Sequence, residues 1–216
     1  MTRNTFKQAG LSMIELMISI AVGLIVVSGV IGMFVSTVTS NAENIKMTRL
    51  NQEMRAVMDV MVRDIRRAGY RGDVTTATTA NPFTTGSNDL TVNGTNDCIT
   101  FTYDSTALDN PAAAAGRGLV DAASDVFGNR REVVSGVGVI RSGIGAAVTL
   151  GTCTAGTWSD LTDGDSVDIT QLQFTVAQVP TLNPTVRSVT ITLTGQLKGN
   201  TTVNRTITET VQMINI

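Results

Sequence analysis

The sequence predicts an α+β protein, in which one long N-terminal helix, membrane-spanning in its first half, packs through its second half on an antiparallel β-sheet domain. Three observations carry this reading. Residues 16–35 form an apolar run interrupted only by Ser19, Ser28 and glycines. From Ile45 onward, apolar residues recur at three- and four-residue spacing with charged residues between them. Beyond Tyr70 the pattern changes to short alternating segments punctuated by Gly, Asn and Pro.

The apolar run comes first. About 20 residues rising ~1.5 Å each match a hydrocarbon layer of roughly 30 Å, so the segment is long enough to cross a bilayer. The ten residues before it, MTRNTFKQAG, carry Arg3 and Lys7 and no acid. Basic residues on that flank favour a cytoplasmic N-terminus, although Arg49 and Arg55 dilute the asymmetry. An ordinary secretory signal is cut on the far side of a shorter apolar stretch, whereas here the small residue suited to cleavage, Gly10, precedes the run.

The amphipathic stretch follows. Leu50, Met54, Val57, Met58, Met61, Ile65 and Ala68 define one stripe, and Arg49, Glu53, Arg55, Asp59, Arg63, Asp64 and Arg66 lie between them. The Met residues from Met47 to Met61 have core-facing spacing and read as packing residues. Gly69 is placed to cap the C-terminus in the left-handed conformation. A helix over residues 11–68 would be about 87 Å long, so its first half is expected to project from the globular part. Gly23, Gly29 and Gly32 each weaken that half by about 1 kcal/mol relative to Ala. They fit either local melting and close helix packing in an assembly or the ordinary frequency of glycine in membrane helices.

In the remainder, residues 74–96 read as loop or irregular strand with turns at Asn81-Pro82 and Asn93-Gly94, and residues 98–103 as a half-buried strand. Residues 110–124 read as an Ala- and Gly-rich loop. Further strands are expected at 131–134, 138–141, 167–176, 186–193 and 204–213. Val186, Val189, Ile191 and Leu193 face Ile207, Val211 and Met213 across a hairpin that turns near Gly199-Asn200. All these strands are expected in a single sheet.

Composition narrows the function. Charged residues are only 16% of the chain, against roughly 25% in ordinary soluble proteins. The net charge of -2 gives no reason to expect specific nucleic-acid binding. Histidine is absent, which removes the commonest general acid/base and zinc ligand. No catalytic residues, paired carboxylates or nucleophile motif are recognisable, and no cofactor is expected. Cys98 and Cys153 are the only cysteines. In an extracytoplasmic domain one disulfide is the simplest reading and two separate buried thiols the alternative.

The segment AGLSMIELMISIAVGLIVVSGV resembles the prepilin N-terminal motif of type IV pilins and type II secretion pseudopilins. The resemblance implies a pilin-like fold and a leader that closes at Gly10. A prepilin peptidase would cleave after it, leaving Leu11 as the N-methylated new terminus, where the family more often has Phe. It further implies that Glu15 assists assembly by pairing with the freed amine of a subunit already in the filament. The physics agrees, since a carboxylate and an ammonium in a low-dielectric setting each become less costly when paired. A chance interfacial acid is the bland alternative. The implied division is 1–10 leader, 11–40 transmembrane and filament-core half of the helix, 41–69 amphipathic half, and 70–216 extracytoplasmic β-rich domain.

The run Arg63-Asp64-Ile65-Arg66-Arg67-Ala68-Gly69-Tyr70-Arg71-Gly72, with the segments that start at Asp97, Trp158 and Val189, is similar to PilW-type minor pilins. That narrower resemblance implies a minor pilin that primes pilus assembly at or near the tip and supports twitching motility, adhesion or DNA uptake. Its partners would be other minor and major pilins, the prepilin peptidase and the inner-membrane assembly machinery. It would sit in the inner membrane with a periplasmic C-terminal domain before joining the filament. A type II secretion pseudopilin and a fibre-displayed binding module such as an adhesin are the alternatives. Two clusters remain. Asp160, Asp163, Asp165 and Asp168 surround Gly164, with Asp163 and Asp165 as weak calcium candidates against a polar turn. Arg63, Arg66, Arg67 and Arg71 form a basic cluster that reads as a solvated helix end, since Lys and Arg suit a helix C-terminus, with contact to an acidic filament neighbour or DNA as the alternative.

Overall fold

The computed structural model describes residues 10, 12–72, 81–105, 120–145, 148, 150–154, 157–179 and 186–213. Leu11, the leader's Arg3 and Lys7, and most of the Ala- and Gly-rich loop lie outside the described residues. Helix α1 runs Met13–Arg67, close to the expected span. The chain divides into two units, Met1–Lys46 and Met47–Ile216.

In the first unit every described side chain is exposed. In the second, the helix buries the stripe foreseen from its periodicity: Leu50, Met54, Val57, Met58, Met61, Ile65 and Ala68 are each at most 3% exposed. Two expectations are corrected here. Ile45 and Met47 are 69% and 47% exposed, so the buried stripe starts at Leu50 and the methionines in it are Met54, Met58 and Met61. Burial of each such side chain contributes about 2 kcal/mol relative to exposure.

The expected single sheet is two sheets. Strands β1 (Thr91–Val92), β2 (Cys98–Thr102), β3 (Val126–Val134), β4 (Val137–Ile144) and β5 (Trp158–Asp160) form one antiparallel sheet in that order. Strands β6 (Val167–Val179), β7 (Val186–Leu197) and β8 (Asn200–Met213) form the other. The expected strands are present, most of them longer than foreseen; β1 falls in the stretch read as loop or irregular strand, and β5 was not foreseen. The β7–β8 hairpin closes with Leu197 opposite Asn200, so Lys198-Gly199 makes the turn.

The helix stripe is the floor common to both sheets. Ile99, Phe101, Phe127 and Ile140 from the first sheet, and Ile169, Leu172, Phe174, Val189, Ile191, Leu193 and Val211 from the second, join it in one core. Tyr103 stacks on Phe127 at 3.9 Å between ring centroids. The two sheets meet through individual bonds. A bulge between Ile169 and Gln171 interrupts the β6 ladder, and the Ile169 carbonyl accepts a hydrogen bond from Arg131 Nε at 2.6 Å. Asp168 accepts the Gly138 N–H at 2.8 Å.

Strand β2 is buried on both faces, where alternation predicted one. Its second face is roofed by loops. The Thr102 hydroxyl donates to the Asn88 carbonyl at 2.8 Å, Thr100 Oγ1 accepts the Gly151 N–H at 2.9 Å, and Cys98 is disulfide-bonded to Cys153. Gly69 ends the helix at φ 77°, where a side chain would be strained, and donates its N–H to the Thr102 carbonyl at 2.8 Å. The helix terminus is thereby joined to β2.

Two outcomes follow for stability. A Cβ on Gly138 would lie 1.9 Å from the Ile169 carbonyl oxygen, whereas one on Gly94 would meet nothing within 4 Å. Gly138→Ala is expected to lower unfolding free energy by about 1–3 kcal/mol or more in denaturant titrations, and Gly94→Ala by much less. Replacing both cysteines with Ser opens a loop of sequence separation 55 and should cost about 4 kcal/mol in the same assay.

Candidate processing and assembly site

At the start of α1 the Ser12 carbonyl accepts the N–H groups of Glu15 at 3.0 Å and Leu16 at 3.2 Å, closing the first helical turn. Glu15 therefore lies in the first turn, where the helix dipole favours an acid. Gly10 is exposed just before it. Leu11, the expected new terminus, lies outside the described residues.

Downstream, polar side chains of the apolar segment are satisfied within the helix. The Ser19 hydroxyl donates to the Glu15 carbonyl at 2.7 Å, Ser28 to Ile25 at 2.8 Å, and Thr37 to Met33 at 2.9 Å. Such back-bonding lets a hydroxyl enter an apolar setting at little cost. The Glu15 carboxylate makes no such bond among the described residues. It is the only charged side chain between Lys7 and Glu43, and it forms no ion pair with another described residue. Around and beyond it Leu16, Ile20, Leu24, Val27, Ile31 and Val35 are all more than half exposed. The site is thus one carboxylate at the head of an uncovered apolar rod, long and apolar enough to cross a membrane.

The carboxylates around Gly164 are dispersed among separate partners. Asp160 bonds Arg141, Asp168 bonds Gly138 and Gln196, and Asp165 reaches Lys198 at 3.2 Å. Asp163 organises a turn: its side chain accepts from the Asp165 N–H and the Ser166 hydroxyl, which hold its pKa below the ordinary value. It also meets Arg49 at 3.1 Å, and its N–H donates to Glu53 at 2.6 Å. The turn is in this way clasped to the exposed side of the helix. Sequence patterning missed that clasp, because nothing local links Arg49 and Glu53 to a turn more than a hundred residues away.

At the other end of the amphipathic half, Arg63, Arg66 and Arg67 are exposed and Arg71 is half-buried. Asp64 sits among them, its pKa raised by burial against the opposing pull of Arg67 and Arg63.

Residues 43–213 match the family described as prepilin peptidase-dependent protein B, and residues 5–31 match the prokaryotic N-terminal methylation motif. No curated protein and no solved structure matches. The first match spans the amphipathic helix and both sheets. The second covers Gly10, Leu11, Glu15 and most of the apolar rod.

The Asp64 shift has a sign that can be measured. A folded-state pKa above the unfolded value means that ionisation costs the folded protein more than the unfolded chain. The cost is absent below about pH 3, where both states are protonated, and complete once pH exceeds the raised folded value. Asp64→Asn is therefore expected to raise the melting temperature at pH 7, with the gain vanishing near pH 3. A lower melting temperature at pH 7 would mean that the arginines outweigh burial.

Proposed function

The chain belongs to the family of prepilin peptidase-dependent protein B, and from that premise we propose that it is a non-catalytic minor pilin of a type IV pilus. Family membership and the methylation motif make it a pilin-like protein processed by a prepilin peptidase, held in a membrane by its apolar helix before assembly. The finer reading is ours: a PilW-type subunit, periplasmic in its C-terminal domain, that primes assembly with other minor and major pilins and the inner-membrane machinery and resides at or near the tip.

One observation carries it, the Glu15 carboxylate, without an ion-pair partner among the described residues, at the head of an exposed apolar rod. In lipid or in a helix-packed filament that charge is costly until a cation reaches it. Cleavage after Gly10 would create such a cation at Leu11, four residues before Glu15 of the same chain. Within one chain the amine and Glu15 sit on the same short segment, but between staggered protomers each amine meets a neighbour's acid. Pairing lowers the cost of both charges and rewards one axial register. The apolar side chains then pack helix against helix, and Gly23, Gly29 and Gly32 allow close approach.

Processing and assembly separate experimentally. Gly10→Leu is expected to leave a precursor whose intact mass retains the leader and which is missing from sheared filaments. Glu15→Val is expected to mature normally, with N-methylated Leu11, yet to be lost from filaments. Mass spectrometry showing an intact Met1 in the native host, or a cut beyond the apolar rod, would overturn the proposal. In a deletion strain, pilus number should fall while secretion of folded exoenzymes continues; the reverse pattern would assign the chain to a secretion system.

A further inference from the structure

Strand β8 is an open edge. It pairs with β7 on one side, and no described strand lies on the other, so N–H and C=O groups along that side of Asn200–Met213 face outward. Open edges of this length are normally blunted by charge, and β8 carries two charged residues, Arg205 and Glu209. Both are exposed, and neither makes an ion pair with another described residue. They lie on one face, flanking Ile207, above a groove of about 390 Å³ whose far wall includes Arg55 and Asp59.

The order of residues along this edge is antisymmetric in charge and symmetric in shape about Ile207. On either side stand Thr206 and Thr208, then Arg205 and Glu209, then Asn204 and Thr210, then Val203 and Val211. An antiparallel partner with the same sequence, centred on Ile207, would therefore place Arg205 opposite Glu209 twice, Thr opposite Thr twice and Val opposite Val twice. Opposite-charge and β-branched cross-strand pairs stabilise a ladder, whereas like charges in that position oppose it. Sliding the register by two residues loses both charge pairs. The charges that would repel an arbitrary strand thus admit this one.

We propose that β8 is a self-complementary docking edge, and that its occupant is β8 of a second copy of this chain, paired antiparallel about Ile207. The contact is isologous, with a two-fold axis along the sheet normal, and it joins the two three-stranded sheets into one of six. That axis reverses the direction of the helical half packed on the sheet, so the pairing suits copies carried on separate filaments rather than neighbours within one. This last step rests on the filament reading above; the pairing itself does not.

The test uses the full-length matured chain in detergent, followed by sedimentation equilibrium. The wild-type chain is expected to dimerise. Arg205→Glu alone and Glu209→Arg alone should each raise the dissociation constant about tenfold or more, because each sets like charges opposite one another. Two restorations are expected: the double reversal Arg205→Glu/Glu209→Arg should dimerise again, and an equimolar mixture of the two single variants should form a heterodimer. Ile207→Cys should oxidise to a covalent dimer, since facing residues in an antiparallel ladder lie within disulfide reach, while Thr201→Cys should not. A monomeric wild-type chain, dimerisation insensitive to both single reversals, or a double reversal that fails to restore it would overturn the proposal. Association through the apolar helix would be recognised by its indifference to every one of these changes.

Discussion

A single helix has to satisfy two environments in succession, and the rest of the molecule is arranged around that demand. Up to Lys46 its side chains are exposed and, through residue 40, overwhelmingly apolar, which water tolerates poorly and lipid or neighbouring helices accept. From Leu50 onward only one stripe is apolar, and that stripe is buried to within a few per cent. The change needs no break in the helix, only a change in how many faces are apolar.

Once the second half is committed to the core, both sheets take their positions from it. The three-stranded sheet supplies the larger share, through long strands whose buried residues are mainly Val, Ile, Leu and Phe and whose outward residues are largely Thr and Gln. Thr190, Thr192 and Thr194 face Thr210, Thr208 and Thr206 in lateral hydroxyl pairs. The five-stranded sheet depends more on bonds to loops: the disulfide to Cys153, the roof over Thr100 and Thr102, and Trp158, whose ring lies 4.3 Å from the Arg130 guanidinium carbon. The helix is fastened at both ends of this domain, by Gly69 to Thr102 and by Arg49 and Glu53 to Asp163. Those attachments hold the amphipathic half of the helix to the domain at both of its ends.

The functional chemistry is correspondingly sparse. On the proposed reading it consists of a peptide bond after an exposed glycine, a carboxylate without an ion-pair partner among the described residues, and a surface of apolar side chains, all on one short segment. In that reading, processing would supply a positive charge to pair with that carboxylate, so the cleavage that frees the subunit would also equip it for docking.

What could be read from the sequence is what periodicity and isolated chemistry encode. The anchor, the buried stripe from Leu50 to Ala68, the glycine stop at Gly69, the β7–β8 hairpin and the lone Glu15 all appear within windows of a few turns or strand lengths, where spacing alone dictates which side chains share a face. The disulfide was the simplest pairing of the only two cysteines. Tertiary structure decided the rest. The strands divide into two sheets, and the bond from Arg131 to the Ile169 carbonyl that links them joins residues 38 apart in sequence. Burial of both faces of β2 depends on loops distant in sequence, and the exposure of Ile45 and Met47 depends on where the domain stops covering the helix. The fate of Asp163 rests on Arg49 and Glu53, more than a hundred residues away. Such contacts leave no local periodic trace, because each is set by the folding of segments that neither residue belongs to.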